Sequence, residues 1–297
     1  MLGRAGRKES LEALGAAWDA GITFFDTARS YGYGGSEGLL GEFCRGRREK
    51  VFICTKFGIL PAKAAGWKQA LKPAVRGLLK IAPGLRGAVR AGVADASAAG
   101  HFSVGEMRES FETSLRELGT EYVDMLLMHA APASVLEQDD LMEALGRLRE
   151  EGKVRMVGIS GEESVMRAAF NSGRALLTTA QFALNVFNFG FAAETRAVEG
   201  MFLVANHPFG GAAGVAVCEE KIAALLLDER IDEELREKLA TAPMCELVLN
   251  AILRGTGVGA VIPAMMQVKH LRANVKAVEE CRFSDEELGI LREALAG

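Results

Sequence analysis

The chain has 297 residues, 49% of them hydrophobic and 25% charged, with a formal net charge of -4 at pH 7. This length and apolar content suffice for a large buried core, and they exclude a disordered protein. The negative charge argues against nucleic acid or an anionic membrane as the main partner. The five cysteines are scattered, with no Cys-x-x-Cys pair or zinc-like histidine spacing. We therefore expect free thiols, no metal site and a reducing compartment.

The sequence also bears on location. It has no run of the roughly 18 apolar residues that a membrane-spanning helix needs, and Met1 to Arg4 carry no apolar signal region. We therefore expect a cytoplasmic protein without a membrane partner.

The first quarter of the chain alternates helical and extended patterns. An apolar stripe at helical spacing begins after Ser10, a possible N-cap, and stops at Gly21. The β-branched and aromatic run that follows, residues 22–26, is typical of a buried strand. A short helix opens at Ser36, and a second strand, residues 51–55, comes after it.

A long basic segment, residues 59–100, interrupts this alternation. Its lysines and arginines accompany apolar residues near helical spacing, but Pro73 and Pro83 break the pattern. Contact with a membrane or a partner protein is one reading of a basic amphipathic helix. We favour a loop and helix excursion over the mouth of a functional site, with a solvated basic face.

Helix and strand continue to alternate beyond this segment. Ser103 and Glu106 form a capping-box pattern before a helical stripe that stops at Gly119. Alternation of this kind predicts a parallel sheet with crossover helices, and without a Gly-x-Gly-x-x-Gly motif it favours a (β/α) barrel over a Rossmann sheet. We therefore expect one α/β domain over residues 1–297. The remaining predicted strands cover residues 123–128, 154–160, 176–184, 201–205 and 258–263.

Three of the predicted strands end on residues that can carry charge. Asp26 ends the first strand, Lys56 follows the second, and His129 follows the third, with Tyr31 a few residues after Asp26. In a (β/α) barrel, catalytic residues lie at the C-terminal ends of strands. A buried charge is costly unless paired, so we expect Asp26 and Lys56 to form an ion pair. Taken singly, each of these residues also has a purely structural interpretation. Asp26 would cap a turn, Lys56 would be solvated, His129 would be a hydrogen-bonded core residue, and Tyr31 would only pack.

Three motifs appear in one order along the chain. They are Asp-Thr-Ala-x-x-Tyr-Gly at 26–32, Thr-Lys-Phe-Gly at 55–58, and Ser-Leu-x-x-Leu-Gly-Thr-x-Tyr-Val-Asp-x-x-x-x-His at 114–129. Together they resemble the aldo-keto reductase family. The resemblance implies a (β/α)8 TIM-type barrel that binds a nicotinamide cofactor in extended form. It also implies an NAD(P)H-dependent oxidoreductase that acts on a small-molecule carbonyl or alcohol.

The chemistry of carbonyl reduction supports this interpretation. Hydride transfer builds negative charge on oxygen, so the site needs a proton donor and a positive charge beside it. Tyr31 can donate the proton, and Lys56 can lower its pKa from an ordinary value of about 10. Asp26 would hold Lys56, and His129 would orient or polarise the carbonyl oxygen.

The resemblance also implies a set of cofactor contacts, with NADPH the expected cofactor and NADH possible. A non-catalytic cofactor-binding regulatory protein on the same barrel is the alternative. The implied cofactor-binding residues are Ser160, Gln181, Pro208, Phe209, Pro263, Ala264, Lys269, Arg272 and Asn274.

The chain departs from the family pattern at three cofactor positions. Gly161 stands where the family often has Asn, and Asn206 stands where it often has a Tyr that stacks on the nicotinamide. No Lys or Arg directly follows Pro263 to grip the 2'-phosphate. We therefore expect NADPH to bind more tightly than NADH by a reduced margin.

The number of predicted strands is seven, whereas a barrel of this family has eight. The strand missing from the count belongs before the Ser10 helix, where residues 1–9 have the glycine and charge content of a loop. We therefore expect a barrel that lacks its first strand. The substrate and the oligomeric state are not readable from the sequence.

Overall fold

The structure, a computed structural model, describes residues 6–61, 100–265 and 267–297. The predicted basic excursion lies outside these residues from position 62 to position 99. The strands are β1 (Phe24–Asp26), β2 (Phe52–Phe57), β3 (Val123–His129), β4 (Val154–Ser160), β5 (Leu177–Ala183), β6 (Phe202–Asn206) and β7 (Val258–Ile262). All seven predicted strands are present in the described part of the chain, with ends shifted by one or two residues.

Helices alternate with these strands. In chain order they are α1 (Arg7–Asp19), α2 (Ser36–Cys44), α3 (Val104–Leu118), α4 (Asp139–Glu150), α5 (Glu163–Asn171), α6 (Ala192–Thr195), α7 (Gly211–Leu226), α8 (Glu233–Thr241), α9 (Met244–Leu253), α10 (Val268–Glu279) and α11 (Asp285–Ala296). None of the described helices is long and apolar enough to cross a membrane.

The helix ends test the predicted caps. Ser103 Oγ accepts a hydrogen bond from Glu106 N at 3.3 Å, and Glu106 Oε2 accepts one from Ser103 N at 3.1 Å, so the capping box is confirmed. Gly119 ends α3 in the left-handed region, at φ 63°. The predicted cap at Ser10 is wrong. Helix α1 begins at Arg7, and Ser10 N already donates to Gly6 O at 3.1 Å, because the apolar stripe does not mark a polar first turn.

The chain divides into two compact units. The first contains residues 1–11, 24–131 and 138–155, and the second contains residues 12–23, 132–137 and 156–297. Within each unit the strands are parallel and follow one another in chain order. The expectation of a single domain over residues 1–297 stays a prediction.

In the first unit, β1 pairs with β2 and β2 pairs with β3. Asp26 lies opposite Cys54, and Lys56 lies opposite Leu127. Side chains from both faces of β3 are buried, which explains its nearly continuous apolar sequence. Because the strands are parallel, their C-terminal ends lie at one edge of the sheet.

An ion-pair cluster anchors the opposite end of β3. Asp124 is 1% exposed and pairs with Arg48 at 2.8 Å and with Arg155 at 2.7 Å. The same carboxylate accepts a hydrogen bond from Ile53 N at 2.9 Å, which ties β3 to β2. A buried carboxylate satisfied in this way holds the strand register at the end remote from His129.

In the second unit, β5 pairs with β4 and β6, and β6 pairs with β7. Ser160 lies opposite Gln181, and Gln181 lies opposite Val204. The register between β4 and β5 shifts at Val157 and Gly158, where a Cβ on the glycine would lie 2.0 Å from Thr179 O. Glycine is therefore required for the two strands to approach at this point.

Candidate active site

The C-terminal edge of the first unit holds a buried ion pair. Lys56 Nζ lies 2.5 Å from Asp26 Oδ1 and donates a second hydrogen bond to Thr27 O at 2.9 Å. The Lys56 side chain is fully buried and that of Asp26 is 8% exposed. The predicted pairing of Asp26 with Lys56 is thus present, and it positions the ammonium group through two acceptors.

The protonation state of Lys56 follows from its surroundings. Burial lowers the pKa of Lys56, but Asp26, Cys54 and Tyr31 together more than reverse this, so its pKa lies above the ordinary value. Lys56 therefore remains an ammonium ion throughout the neutral range, and the edge carries a fixed positive charge.

Tyr31 lies beside this ammonium group. It begins a tight turn, Tyr31–Gly34, that follows the segment after β1. Lys56 Nζ is 4.8 Å from the centroid of the Tyr31 ring. The ring of His129 meets that of Tyr31 edge to face, with centroids 5.6 Å apart and an angle of 84°. The structure thus brings together all four residues predicted from the strand ends.

The pKa of Tyr31 corrects one expectation from the sequence. Burial raises the pKa of Tyr31 by more than the Lys56 ammonium lowers it, and Asp26 adds to the rise, so the net change is upward. The expected net lowering by Lys56 was wrong because Asp26 offsets much of that positive charge and because the phenol is buried. Tyr31 therefore keeps its proton at neutral pH.

His129 is a neutral imidazole in this environment. Burial lowers its pKa from 6.5 to about 4, and the Lys56 ammonium acts in the same direction while Asp26 opposes it. Its Nδ1 atom is buried and has no hydrogen-bond partner among the described residues. A neutral imidazole carries one N–H donor and one acceptor nitrogen, and its tautomer decides which is which.

A second polar cluster backs the site and was missed in the sequence. Glu37, on α2, is 1% exposed; its Oε1 accepts from Thr55 Oγ1 at 2.6 Å, and its Oε2 accepts from Arg29 Nη1 at 2.9 Å. An acidic residue in the first turn of a helix is common and is usually solvated. Nothing in the local pattern distinguishes a buried glutamate from an exposed one.

In the second unit, two of the predicted cofactor residues form a buried polar pair. Ser160 ends β4, and Gln181 lies near the end of β5. Ser160 Oγ donates to Gln181 Oε1 at 3.2 Å, and both residues are largely buried. This hydrogen bond joins the end of β4 to β5.

The turn between β6 and α7 carries Pro208 and Phe209, which are buried and half-buried. His207 precedes them with a left-handed backbone, φ 51°, and its carbonyl accepts from Asn185 Nδ2 at 3.1 Å. Asn206 Oδ1 is engaged by His207 Nδ1 at 2.9 Å. Asn206 therefore takes part in holding the turn.

An exposed aromatic residue beside this turn was also missed. Phe187 is 60% exposed, and its ring would lie 3.1 Å from a Cβ on Gly210. A lone phenylalanine in a loop has no sequence signal that separates a packing role from a binding role.

The remaining predicted cofactor residues follow β7. Pro263 and Ala264 come directly after the strand. Lys269 and Arg272 lie exposed near the start of α10, and Asn274 on the same helix is 9% exposed. The basic side chains are thus available to an anion near a helix N-terminus.

Comparison with known proteins gives a consistent result. A model described as the aldo/keto reductase family matches residues 2–296. Aldo-keto reductase YhdN of Bacillus subtilis (strain 168) is 30% identical over 162 residues, which are 54% of this chain and 39% of that protein. The match thus spans well under half the length of this curated relative.

Solved structures match along nearly the whole chain. The holo form of aldo-keto reductase AKR11C1 from Bacillus halodurans gives a TM-score of 0.70 at 20% identity and covers 100% of this chain and 90% of that chain. An aldo/keto reductase from Klebsiella pneumoniae, in complex with NADP and acetate, gives 0.65 at 23% identity and covers 99% and 89%. At these identities the likeness shows the fold, and it confirms the predicted class of (β/α)8-type barrel.

Proposed function

Because the chain belongs to the aldo/keto reductase family, we propose that it is an NAD(P)H-dependent oxidoreductase that reduces an aldehyde or ketone to an alcohol, or catalyses the reverse reaction. The observation that carries the proposal is the buried Asp26–Lys56 pair beside Tyr31 and His129. Such a set combines a proton donor, a fixed positive charge and a neutral hydrogen-bonding ring at one strand edge. Its catalytic residues are Tyr31, Lys56, Asp26 and His129.

Each of these residues has one task in the reduction. The bound nicotinamide cofactor supplies the hydride. Tyr31 gives its phenolic proton to the carbonyl oxygen, and its raised pKa keeps that proton in place until the oxygen becomes basic. Lys56 then stabilises the phenolate that Tyr31 becomes. Asp26 holds the ammonium in position, and the neutral ring of His129 orients the carbonyl oxygen.

The cofactor is NADPH, with NADH as a weaker ligand. Ser160 and Gln181 form a buried polar pair suited to the nicotinamide carboxamide, because an amide needs both donors and acceptors. Lys269 and Arg272 suit the 2'-phosphate, and Asn274 suits the adenine end. Pro208, Phe209, Pro263 and Ala264 line the path between them. The reductase from Klebsiella pneumoniae was crystallised with NADP, which supports the choice of cofactor.

One observation favours the alternative of a non-catalytic cofactor-binding protein. Asn206 replaces the stacking aromatic, and its side-chain oxygen is occupied by His207. A loosely held nicotinamide would suit a sensor better than an enzyme. The complete catalytic set favours the enzyme, because a sensor has no need of a proton donor.

The test is oxidation of NADPH and, separately, NADH at 340 nm with a panel of aldehydes and ketones. We expect carbonyl-dependent oxidation by the wild type and a loss on the order of 10²-fold for Tyr31→Phe, since general acid catalysis is removed. Cofactor affinity should be nearly the same in both proteins. Tight cofactor binding with no turnover on any carbonyl would favour the regulatory alternative. Equal turnover by Tyr31→Phe would remove Tyr31 from the mechanism.

A further inference from the structure

We propose that Glu37 is a positioning residue of this site: its buried carboxylate ties the segment that carries Tyr31 to the strand that carries Lys56. The role in turnover rests on the proposed function. The structural part, that Glu37 sets the place of the Tyr31 phenol, can be tested without any reaction.

The geometry joins three elements at one carboxylate. One oxygen of Glu37 accepts from Thr55 Oγ1 at 2.6 Å, and Thr55 directly precedes Lys56 on β2. The other oxygen accepts from Arg29 Nη1 at 2.9 Å, and Arg29 lies two residues before Tyr31. Glu37 itself lies on α2. The carboxylate therefore connects the supports of the proton donor and of the ammonium.

Other contacts hold the two ends of the segment between β1 and α2, where Gly35 N donates to Gly32 O and Tyr31 O. Thr27 N donates to Cys54 O at 2.8 Å, and Thr27 Oγ1 donates to Ser36 Oγ at 3.0 Å. Further along, Tyr31 N donates to Ala28 O at 3.1 Å, a bond within the segment itself. The hydrogen bond from Arg29 to Glu37 adds a side-chain link between the middle of the segment and α2.

Both charges of this link are shielded from water. Glu37 has 1% of its side chain exposed and Arg29 has 13%. In a buried ion pair, each charge depends on its partner for compensation. Loss of one partner therefore leaves the other as an uncompensated buried charge. Arg29 Nε is already buried without a hydrogen-bond partner in the described part of the chain. Without the Glu37 charge, Arg29 would turn towards water and draw the Tyr31 segment with it.

The cluster around Asp124 offers a matched control. Asp124 is as buried as Glu37 and also pairs with arginine. It lies near the start of β3, five residues before His129, roughly 16 Å away along the strand at about 3.3 Å per residue. Asp124→Asn therefore breaks a buried ion pair of the same kind without touching the support of Tyr31.

The kinetic experiment compares Glu37→Gln and Thr55→Val with Thr55→Ser and Asp124→Asn, each measured per folded molecule. We expect the first two variants to lose at least about tenfold in kcat, because small displacements of catalytic groups are costly. Cofactor affinity should stay within about twofold. Thr55→Ser keeps the hydroxyl and should keep the rate, and Asp124→Asn should lower the melting temperature with kcat unchanged. Thr55→Val also keeps the test available should Glu37→Gln fail to fold.

The second measurement needs no turnover. Tyrosine labelled with 13C at Cζ is titrated by NMR, and Tyr31→Phe assigns the Tyr31 signal among the three tyrosines. Burial, Lys56, Asp26 and Cys54 set the pKa of Tyr31, so a change at Glu37 reaches it through the position of the phenol. We expect Glu37→Gln or Thr55→Val to lower the Tyr31 pKa towards its ordinary value, and Asp124→Asn to leave it unchanged.

The two measurements separate the two proposals. A wild type without reductase activity would overturn the proposed function, whereas the NMR shift in the Glu37 and Thr55 variants would still support the positioning role. An active wild type whose Glu37→Gln and Thr55→Val variants keep both kcat and the Tyr31 pKa would overturn that role. Equal losses of kcat in Asp124→Asn would also overturn it, because they would show only a general effect of stability.

Discussion

At the scale of single residues, the site depends on charges whose signs are set by their neighbours. Asp26 raises the pKa of Lys56 in a place where burial alone would lower it. The same carboxylate cancels part of the ammonium's influence on Tyr31, so burial decides the direction of that pKa. Ion pair and phenol thus form one coupled unit, in which a change at either charge alters the other groups.

His129 leads to a prediction about pH and stability. Its folded pKa of about 4 lies below its ordinary value of 6.5, so as pH falls the unfolded chain takes up a proton first. The contribution of neutral His129 to stability is therefore complete above about pH 6.5 and is lost as pH falls towards 4. The full loss is on the order of 3 kcal/mol, at about 1.4 kcal/mol per pKa unit.

The measurement is the free energy of unfolding by urea between pH 4 and pH 7, for wild type and His129→Gln. We expect a steeper loss of stability on acidification in the wild type. Parallel curves for the two proteins would show that His129 titrates normally in the folded chain.

At the scale of elements, the approach of β4 to β5 depends on Gly158. A methyl group there would meet Thr179 O at 2.0 Å, and a strand backbone cannot move aside as a side chain can. We expect Gly158→Ala to cost at least about 1–3 kcal/mol, the range of overpacked cores, and to weaken cofactor binding through Ser160 and Gln181.

Thermal unfolding and cofactor titration of this variant provide the check, with Gly146→Ala as the control. Gly146 lies within α4, and among the described residues no atom outside its own stretch of helix lies within 4 Å of its Cβ position. Alanine there should be neutral or stabilising by up to about 1 kcal/mol. If Gly158→Ala behaved like this control, the close approach of the two strands would be relaxed in solution.

Helix α10 carries a prediction about cofactor choice. Arg272 is exposed on this helix and is proposed to contact the 2'-phosphate of NADPH. Arg272→Ala should therefore weaken NADPH binding by about tenfold, close to the usual effect of losing one hydrogen bond to a charged group. The affinity for NADH should stay unchanged.

The matched control is Lys276→Ala, which removes an exposed cation from the last turn of the same helix, where it pairs with Glu280 at 3.6 Å. It should change neither affinity. Fluorescence titration with both cofactors measures the difference, and equal losses for NADPH and NADH in Arg272→Ala would place Arg272 away from the phosphate.

At the scale of the whole molecule, the residues proposed for catalysis and for cofactor binding come from different parts of the chain. The four proposed catalytic residues belong to the first compact unit, and the proposed cofactor residues belong to the second. We therefore expect NADPH to stabilise the folded chain whether or not Tyr31 is present. At a concentration a hundred times Kd the gain is about 2.7 kcal/mol.

Differential scanning fluorimetry of wild type and Tyr31→Phe, with and without NADPH, checks this. Equal rises in melting temperature are expected. A rise confined to the wild type would mean that Tyr31 contributes to cofactor binding as well as to proton transfer.

Much of the fold could be predicted from the sequence because its signals are local. Apolar runs of strand length, the capping box at Ser103 and the terminal Gly119 depend on neighbours a few residues apart, and the structure has these elements where the pattern put them. The placement of Asp26, Lys56 and His129 at or next to the ends of successive strands, together with parallel pairing, was enough to bring these residues to one edge.

Tertiary structure alone decided what depends on burial and on contacts between distant segments. In the sequence, Glu37 looks like an ordinary glutamate in the first turn of a helix. Only the packing of α2 brings it into contact with Thr55 and Arg29. The direction of the Tyr31 pKa likewise depends on how completely the fold removes water from the phenol, weighed against a cation 25 residues further along the chain. Periodicity records which residues prefer the interior, whereas desolvation and charge pairing depend on the positions that folding assigns to them.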